Sequence, residues 1–186
     1  QEILVNSNKC LKEYYKHPEA TAEVLQDGFF ATGDIGHFND EGRLVITDRK
    51  KDLIKTAGGK YVAPQKLEGL MKQEPLISQI LIHGDQKKFV SALISIEEPQ
   101  LKSWAQSQNI TYTDWQDLYQ NPALRVRIQK HIQSVNSQLA SYESIKKFEI
   151  VPESWTVENG LLTQSLKVKR KVVEQKYAEL LNEMYE

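Results

Sequence analysis

The run Thr47-Asp48-Arg49-Lys50-Lys51-Asp52 has no large apolar side chain and lies between two strand-like apolar stretches, Leu44-Val45-Ile46 and Leu53-Ile54. Charges this dense are not buried without partners, so the run has to stay at a surface. It therefore divides the chain into two regions of different texture. Upstream, Ile3-Leu4-Val5 reads as a strand, Pro18 to Leu25 as a short helix and Phe29-Phe30 as a strand. Asn39-Asp40-Glu41-Gly42 reads as a hairpin turn feeding Leu44-Val45-Ile46. This β-rich part is expected to be too small and open to fold well alone.

Downstream the pattern is that of a compact α+β unit. Leu53-Ile54 predicts a strand, Gly58-Gly59 a turn, and Pro64 opens a helix with Leu67, Leu70 and Met71 on one face. Ile80–Ile82 and Phe89–Ile96 predict two strands across Gly84-Asp85, the second with Val90, Ala92, Ile94 and Ile96 on one side. A three-stranded antiparallel sheet flanked by helices is the expected fold. A short helix is expected around Leu101 and Trp104, then a polar loop or a second short helix around Trp115. A longer helix follows, in which Leu124, Ile128, Ile132, Val135 and Leu139 recur at steps of three and four. Phe148 to Val151 reads as a further strand. A terminal helix is expected to bury Val172, Val173, Tyr177, Leu180, Leu181 and Met184.

Composition excludes several classes of protein. With 24 basic and 25 acidic residues the net charge is −1, so no global field gathers nucleic acid or anionic lipid. Cys10 is the single cysteine and the four histidines are scattered, which excludes a disulfide framework and a zinc site and fits a reducing compartment. No apolar run reaches membrane-spanning length and no signal peptide is evident. The opening Gln1, inside a strand-like run and without an initiator methionine, suggests an excised piece.

Three segments carry the chemistry. The first is Asp27-Gly28-Phe29-Phe30-Ala31-Thr32-Gly33-Asp34; taken alone, Thr-Gly-Asp is an ordinary turn. The second runs from Ile46 through Asp48-Arg49-Lys50-Lys51-Asp52 and Lys55-Thr56-Ala57-Gly58-Gly59-Lys60 to Pro64, ending in Leu67-Glu68. By itself its basic core is a solvated or nuclear-localisation-like patch, and its glycine pair a tight turn. The third, Glu158 to Lys171, contains Thr163-Gln164-Ser165-Leu166-Lys167-Val168-Lys169-Arg170-Lys171, which alone could be a basic face or a nucleic-acid or phospholipid contact.

In this order the three segments resemble the adenylate-forming superfamily of acyl-CoA synthetases, luciferases and peptide synthetases. The resemblance extends over the whole chain, including Tyr14-Tyr15-Lys16-His17-Pro18. It implies the C-terminal portion of an ATP-dependent long-chain fatty acid:CoA ligase. Residues 1–48 would be the end of the large adenylation domain, 49–51 a hinge, and 52–186 a mobile α+β lid. The resemblance assigns Asp34 and Arg49 to the nucleotide ribose, since a carboxylate can accept two hydrogen bonds from a vicinal diol. It makes Lys51 the hinge. Lys167 becomes the adenylation lysine, its ammonium offsetting the repulsion between an attacking carboxylate and the α-phosphate. Lys55 would approach the acyl-adenylate in a second conformation. Gly58 and Gly59 would line the channel for CoA's pantetheine arm, where a Cβ leaves no room.

The long-chain assignment rests on Glu158–Lys171, Lys60–Pro64 and the long insert between Pro99 and Glu149. Two positions depart from the pattern: Glu13 replaces a usual glycine, and Gln164 a frequent proline. The Ser/Thr/Gly-rich phosphate loop is not in this sequence, so the fragment alone is expected to be inactive. Implied ligands are a fatty acid, ATP or AMP, CoA and Mg²⁺, the last without ligands here. The expected location is cytoplasmic, with peripheral membrane contact of the full-length enzyme left open. The rivals are another acyl- or aryl-activating adenylation enzyme and a basic nucleic-acid or anionic-lipid binding module. Salt titration of oligonucleotide and anionic-liposome binding separates the last from the lid: the lid predicts no steep dependence, the binding module a steep one.

Overall fold

The computed structural model describes all 186 residues, which form two compact units, Gln1–Leu53 and Ile54–Glu186. The first unit contains β1 (Glu2–Val5), α1 (Pro18–Val24), β2 (Leu25–Gln26), β3 (Phe29–Phe38) and β4 (Leu44–Arg49). β3 is the spine of this sheet: β1 pairs with it on one edge, and β2 and β4 on the other, all antiparallel. Ile35 shows the arrangement, since it is opposite both Glu2 and Asp48. At the adjoining Gly36 the ladder slips, and a Cβ there would stand 2.6 Å from the Val45 carbonyl oxygen, so only glycine fits. Only Gly36 and Asp48 are buried in this unit, while Leu4, Phe29, Phe38, Leu44, Val45 and Ile46 are exposed. The unit is β-rich, as expected.

The second unit begins with a short hairpin, β5 (Ile54–Lys55) and β6 (Tyr61–Val62), followed by α2 (Pro64–Met71). Its centre is a sheet of β7 (Ile77–His83), β8 (Val90–Ile96) and β9 (Ile145–Val151), with β8 in the middle. Between β8 and β9 run α3 (Glu98–Ser107), α4 (Trp115–Tyr119) and α5 (Pro122–Asn136); α6 (Arg170–Lys176) and α7 (Ala178–Glu183) close the chain. Asn121 caps α5 by accepting a hydrogen bond from the Ala123 N–H at 2.9 Å, and Pro122 fills the first helical position.

Every residue of β8 is buried, because both faces of the sheet are covered. On one face Ala92, Ile94 and Ile96 pack with Leu67 and Met71 of α2, Leu101 of α3 and Leu124, Ile128 and Ile132 of α5. On the other, Leu93 meets Leu81, Val151, Trp155, Leu161, Leu162, Val173 and Leu181. Each such side chain contributes about 1.5–3 kcal/mol on burial. The α+β fold agrees with the expectation, but the sheet is mixed rather than antiparallel. β7 and β8 form an antiparallel hairpin, whereas β9 runs parallel to β8. The reason is the connection: the helical segment between them returns the chain to the starting end of the sheet, which a hairpin cannot do. The expected Leu53-Ile54 strand is displaced to Ile54-Lys55 and pairs only with β6.

The expected single terminal helix is broken at Tyr177, which caps both α6 and α7. Val173, Leu181 and Met184 are buried, but Val172 is 42% exposed. Tyr177 is held by its hydroxyl, which donates to Glu153 Oε2 at 3.0 Å, and burial pushes its pKa up to about 12. Glu153 also takes the Lys176 ammonium and the Asn159 amide. Chiefly through Lys176, these donors hold its carboxyl below the ordinary 4.5. A lowered carboxylate pKa stabilises the fold above pH 4.5 and loses that contribution as pH falls through the lowered value. Glu153→Gln should therefore flatten the acid decline of stability below pH 4.5, measured as urea midpoint against pH; an unchanged slope would show that the knot contributes nothing.

Candidate nucleotide and thioester sites

Asp34 and Arg49, 15 residues apart, are cross-strand partners on β3 and β4, and Arg49 Nε lies 3.1 Å from Asp34 Oδ1. Thr32-Gly33-Asp34 is therefore strand rather than turn. Gly33, at φ +73°, bends that strand, while the Thr32 hydroxyl accepts from the Asp34 N–H at 3.1 Å and donates to the Ile3 carbonyl at 2.9 Å. These bonds fix the direction of the aspartate. Asp34 Oδ1 is engaged by the guanidinium.

The segment after β4, Lys50–Asp52, is a single 3-10 turn with Lys51 exposed. Lys50 is anchored within the first unit by Glu2, at 2.7 Å, and Glu2 Oε1 also accepts from the Gly33 N–H at 3.3 Å. The residue before Lys51 is thus tied down.

In the second unit Lys55 is opposite Tyr61 across the β5–β6 hairpin, and its ammonium stands 5.8 Å from the Tyr61 ring centre. The hairpin loop is closed by two backbone bonds, Thr56 N–H to the Lys60 carbonyl (2.9 Å) and Gly59 N–H to the Thr56 carbonyl (2.8 Å). Gly59 has φ +74° and needs to be glycine for that reason. Gly58 has ordinary φ, and a Cβ on it would come no closer than 4.0 Å to the Thr56 hydroxyl. The turn expectation holds, and the loop also presents bare backbone.

Lys167 is exposed in a second tight loop. Leu162 and Val168 bridge its base, the Thr163 N–H donates to the Lys167 carbonyl at 2.8 Å, and the Lys167 N–H donates to the Thr163 hydroxyl at 3.1 Å. Within it the Leu166 N–H closes a turn on the Thr163 carbonyl at 2.9 Å, with Leu166 at φ +59°. One sequence departure becomes intelligible here: Gln164 occupies the second turn position, where proline fits, and Leu166 follows in a left-handed position that favours glycine. The other departure, Glu13, is at negative φ, so a side chain is tolerated there.

The two lysine loops are rooted on opposite faces of the central sheet. Ile54 and Val62, flanking the Lys55 hairpin, belong to the core on the α2–α5 face, whereas Leu161 and Leu162, leading to Lys167, belong to the other. One ion pair, not foreseen from sequence, ties the Lys167 loop to the sheet. Arg170, at the start of α6, donates to the Ile82 carbonyl and to Glu68 Oε1, each at 2.8 Å. Glu68 in turn accepts from the Ile82 N–H at 2.9 Å. Burial pushes the Glu68 carboxyl above the usual carboxylate range, with Arg170 pulling against it. Glu68 and Arg170 both lie within recognised segments, but nothing in the spacing pairs residues so far apart. No group of three or more His, Cys, Asp or Glu side chains is placed to hold a metal ion, and no step is assigned to Mg²⁺.

The paired Asp34 and Arg49, with two lysine loops on an α+β unit, occur in the arrangement that the resemblance implies for a portion of an adenylate-forming enzyme. Residues 51–186 match the AMP-binding enzyme C-terminal domain, and the chain belongs to that family. Over 99% of its length it is 40% identical to a long-chain-fatty-acid–CoA ligase of Mycobacterium tuberculosis, covering 31% of that protein. It is 38% identical to the peroxisomal long chain acyl-CoA synthetase 7 of Arabidopsis thaliana, covering 27% of it. The chain thus spans about a third or less of the curated relatives it matches. Among solved structures, the adenylation domain of a Mycobacterium chelonae carboxylate reductase superposes with a TM-score of 0.74 at 31% identity, over 99% of this chain and 27% of that one. The corresponding domain from Segniliparus rugosus, solved with AMP and a co-purified carboxylic acid, gives 0.73 at 31% identity, over 99% of this chain and 28% of that one.

Replacing Leu166 by glycine relieves the left-handed strain at the expense of some unfolded-chain entropy, for a net gain of about 0.5–1 kcal/mol. Thermal or urea unfolding of Leu166→Gly against wild type checks this; an unchanged or lower midpoint contradicts it.

Proposed function

We propose that this chain is the hinge-and-lid region of an ATP-dependent long-chain fatty acid:CoA ligase, with residues 1–48 completing the large domain, 49–51 the hinge and 52–186 the lid. The observation that carries the two-step mechanism is that Lys55 and Lys167 are rooted in different cores on opposite faces of one sheet. A rigid unit of that design can present one lysine or the other by turning, with Lys51 as pivot. The names of the relatives favour a long-chain fatty acid as substrate, and the Segniliparus rugosus neighbour, solved with AMP and a co-purified carboxylic acid, supports carboxylate activation.

In the first half-reaction a carboxylate oxygen attacks the α-phosphorus of ATP; the bond to the β-phosphate breaks and pyrophosphate leaves. Asp34 and Arg49 hold the ribose, and Lys167 offsets the charge gathered between the two anions. In the second, the CoA sulfur attacks the acyl carbonyl, AMP leaves with the C–O bonding pair, and the thiol proton passes to solvent. Lys55 then faces the adenylate while Gly58 and Gly59 admit the pantetheine arm.

The rival binding module is disfavoured by charge pairing. Arg49, Lys50 and Arg170, the cores of the basic runs, are engaged by Asp34, Glu2 and Glu68. That supports a reading without nucleic acid. No helix is long and apolar enough to cross a membrane. A cytoplasmic setting, with or without peripheral membrane contact, belongs to the proposal; the peroxisomal name of one relative makes localisation of the full-length protein its direct check.

The mechanism predicts a split in the full-length enzyme. Lys167→Ala should lower fatty-acid-dependent pyrophosphate release about a hundredfold or more while sparing thioester formation from supplied acyl-AMP, and Lys55→Ala should chiefly impair the latter. If both variants keep both half-reactions, or wild type activates no carboxylic acid, the proposal fails.

A further inference from the structure

The turn between β7 and β8 is bonded to the Lys55 hairpin. Lys55 has both backbone groups engaged by it: its N–H donates to Asp85 Oδ1 at 3.0 Å, and its carbonyl accepts from the Gln86 N–H at 2.8 Å. A third bond follows two residues on, where the Ala57 N–H donates to the Lys87 carbonyl at 2.9 Å. The turn itself is tightly specified. A Cβ on Gly84 would lie 3.0 Å from the Phe89 carbonyl oxygen and 3.3 Å from Val90 Cα, and Gln86 is held at φ +59°. Lys87 N–H closes the turn on the Gly84 carbonyl at 3.0 Å. It grows directly out of β8, the most buried strand of the unit, so it is a rigid mount.

Of the three bonds to the hairpin, two join backbone to backbone and survive any side-chain change. The Asp85 carboxylate supplies the third. β5 is only two residues long, so its own ladder with β6 gives Lys55 little support. The direction of a lysine stem follows from the backbone that carries it, and the Lys55 N–H is set by this carboxylate.

We propose that Asp85 is a positioning residue for the thioester half-reaction, acting through Lys55: its carboxylate fixes the Lys55 backbone against the β7–β8 turn and so sets where the ammonium is presented. This rests on the role of Lys55 proposed above. Asp85 itself touches no reacting atom. A carboxylate accepts the N–H more strongly than a neutral amide, but an amide oxygen keeps the bond, so Asn should preserve function where Ala does not.

The test uses the full-length enzyme and both half-reactions for wild type, Asp85→Ala, Asp85→Asn, Lys55→Ala and the double variant D85A/K55A. Asp85→Ala should slow thioester formation from supplied acyl-AMP about tenfold, a misplacement effect, with adenylation at the wild-type rate. Asp85→Asn should restore most of that loss. The double variant should be no slower than Lys55→Ala, since Asp85 acts through that residue. If Lys55→Ala is impaired and Asp85→Ala is not, the Asp85 role alone is overturned. Equal loss of both half-reactions in Asp85→Ala, no rescue by Asn, or a double variant slower than Lys55→Ala would each overturn it too. If Lys55→Ala forms thioester at the wild-type rate, the Lys55 reading falls and takes the Asp85 role with it.

Discussion

Burial of β8 on both faces is the constraint from which the rest of the second unit follows. A strand with Ala92, Ile94 and Ile96 toward one set of helices and Leu93 toward another needs two cores, not one. The buried polar residues between them are satisfied: Ser91 bonds the Tyr185 hydroxyl at 2.8 Å and Ser95 donates to the Glu153 carbonyl at 3.1 Å. Each core then grips a different lysine-bearing loop. Two lysine loops rooted on opposite faces of one unit are the arrangement on which the proposed turning lid rests.

The first unit solves a different problem. Its apolar side chains are largely exposed, and its order comes from the ladders of β3 and from charge pairs such as Arg49–Asp34 and Lys50–Glu2. Exposed pairs of this kind contribute little stability, about 0–1 kcal/mol each. Their value is directional: they hold the side chains beside Lys51 in place without burying them. In the proposed hinge such a segment would stay ordered beside the residue that turns.

Much of this was legible in the sequence because it depends on local patterning. The alternation Val90, Ala92, Ile94, Ile96 and the helical spacing of Leu124, Ile128, Ile132 and Val135 announce their buried faces directly. The hairpin at Asn39–Gly42 is written in turn residues, and the Asn39 side chain accepts from the Glu41 and Arg43 N–H groups as such turns do. Lys55, Lys167, Asp34 and Arg49 were singled out by resemblance, and the structure places Asp34 beside Arg49. What stayed hidden depends on long-range pairing. The parallel direction of β9 is decided by where α3–α5 deliver the chain, and the break at Tyr177 by a bond to Glu153, 24 residues earlier. The Glu68–Arg170 clamp and the Asp85–Lys55 bond join segments 102 and 30 residues apart, for which periodicity carries no signal.

The central claim is that the second unit turns as a body about Lys51 to exchange its two lysine loops. It is tested most directly by distance. Spin labels at cysteines introduced at Glu41 and Lys130, both exposed and one in each unit, report separation in the full-length enzyme by pulsed electron resonance. The account predicts two distinct distances, one dominant with ATP and a non-reactive fatty-acid analogue, the other with a stable acyl-adenylate analogue and CoA. A single distance, unchanged between the two ligand conditions, would contradict it.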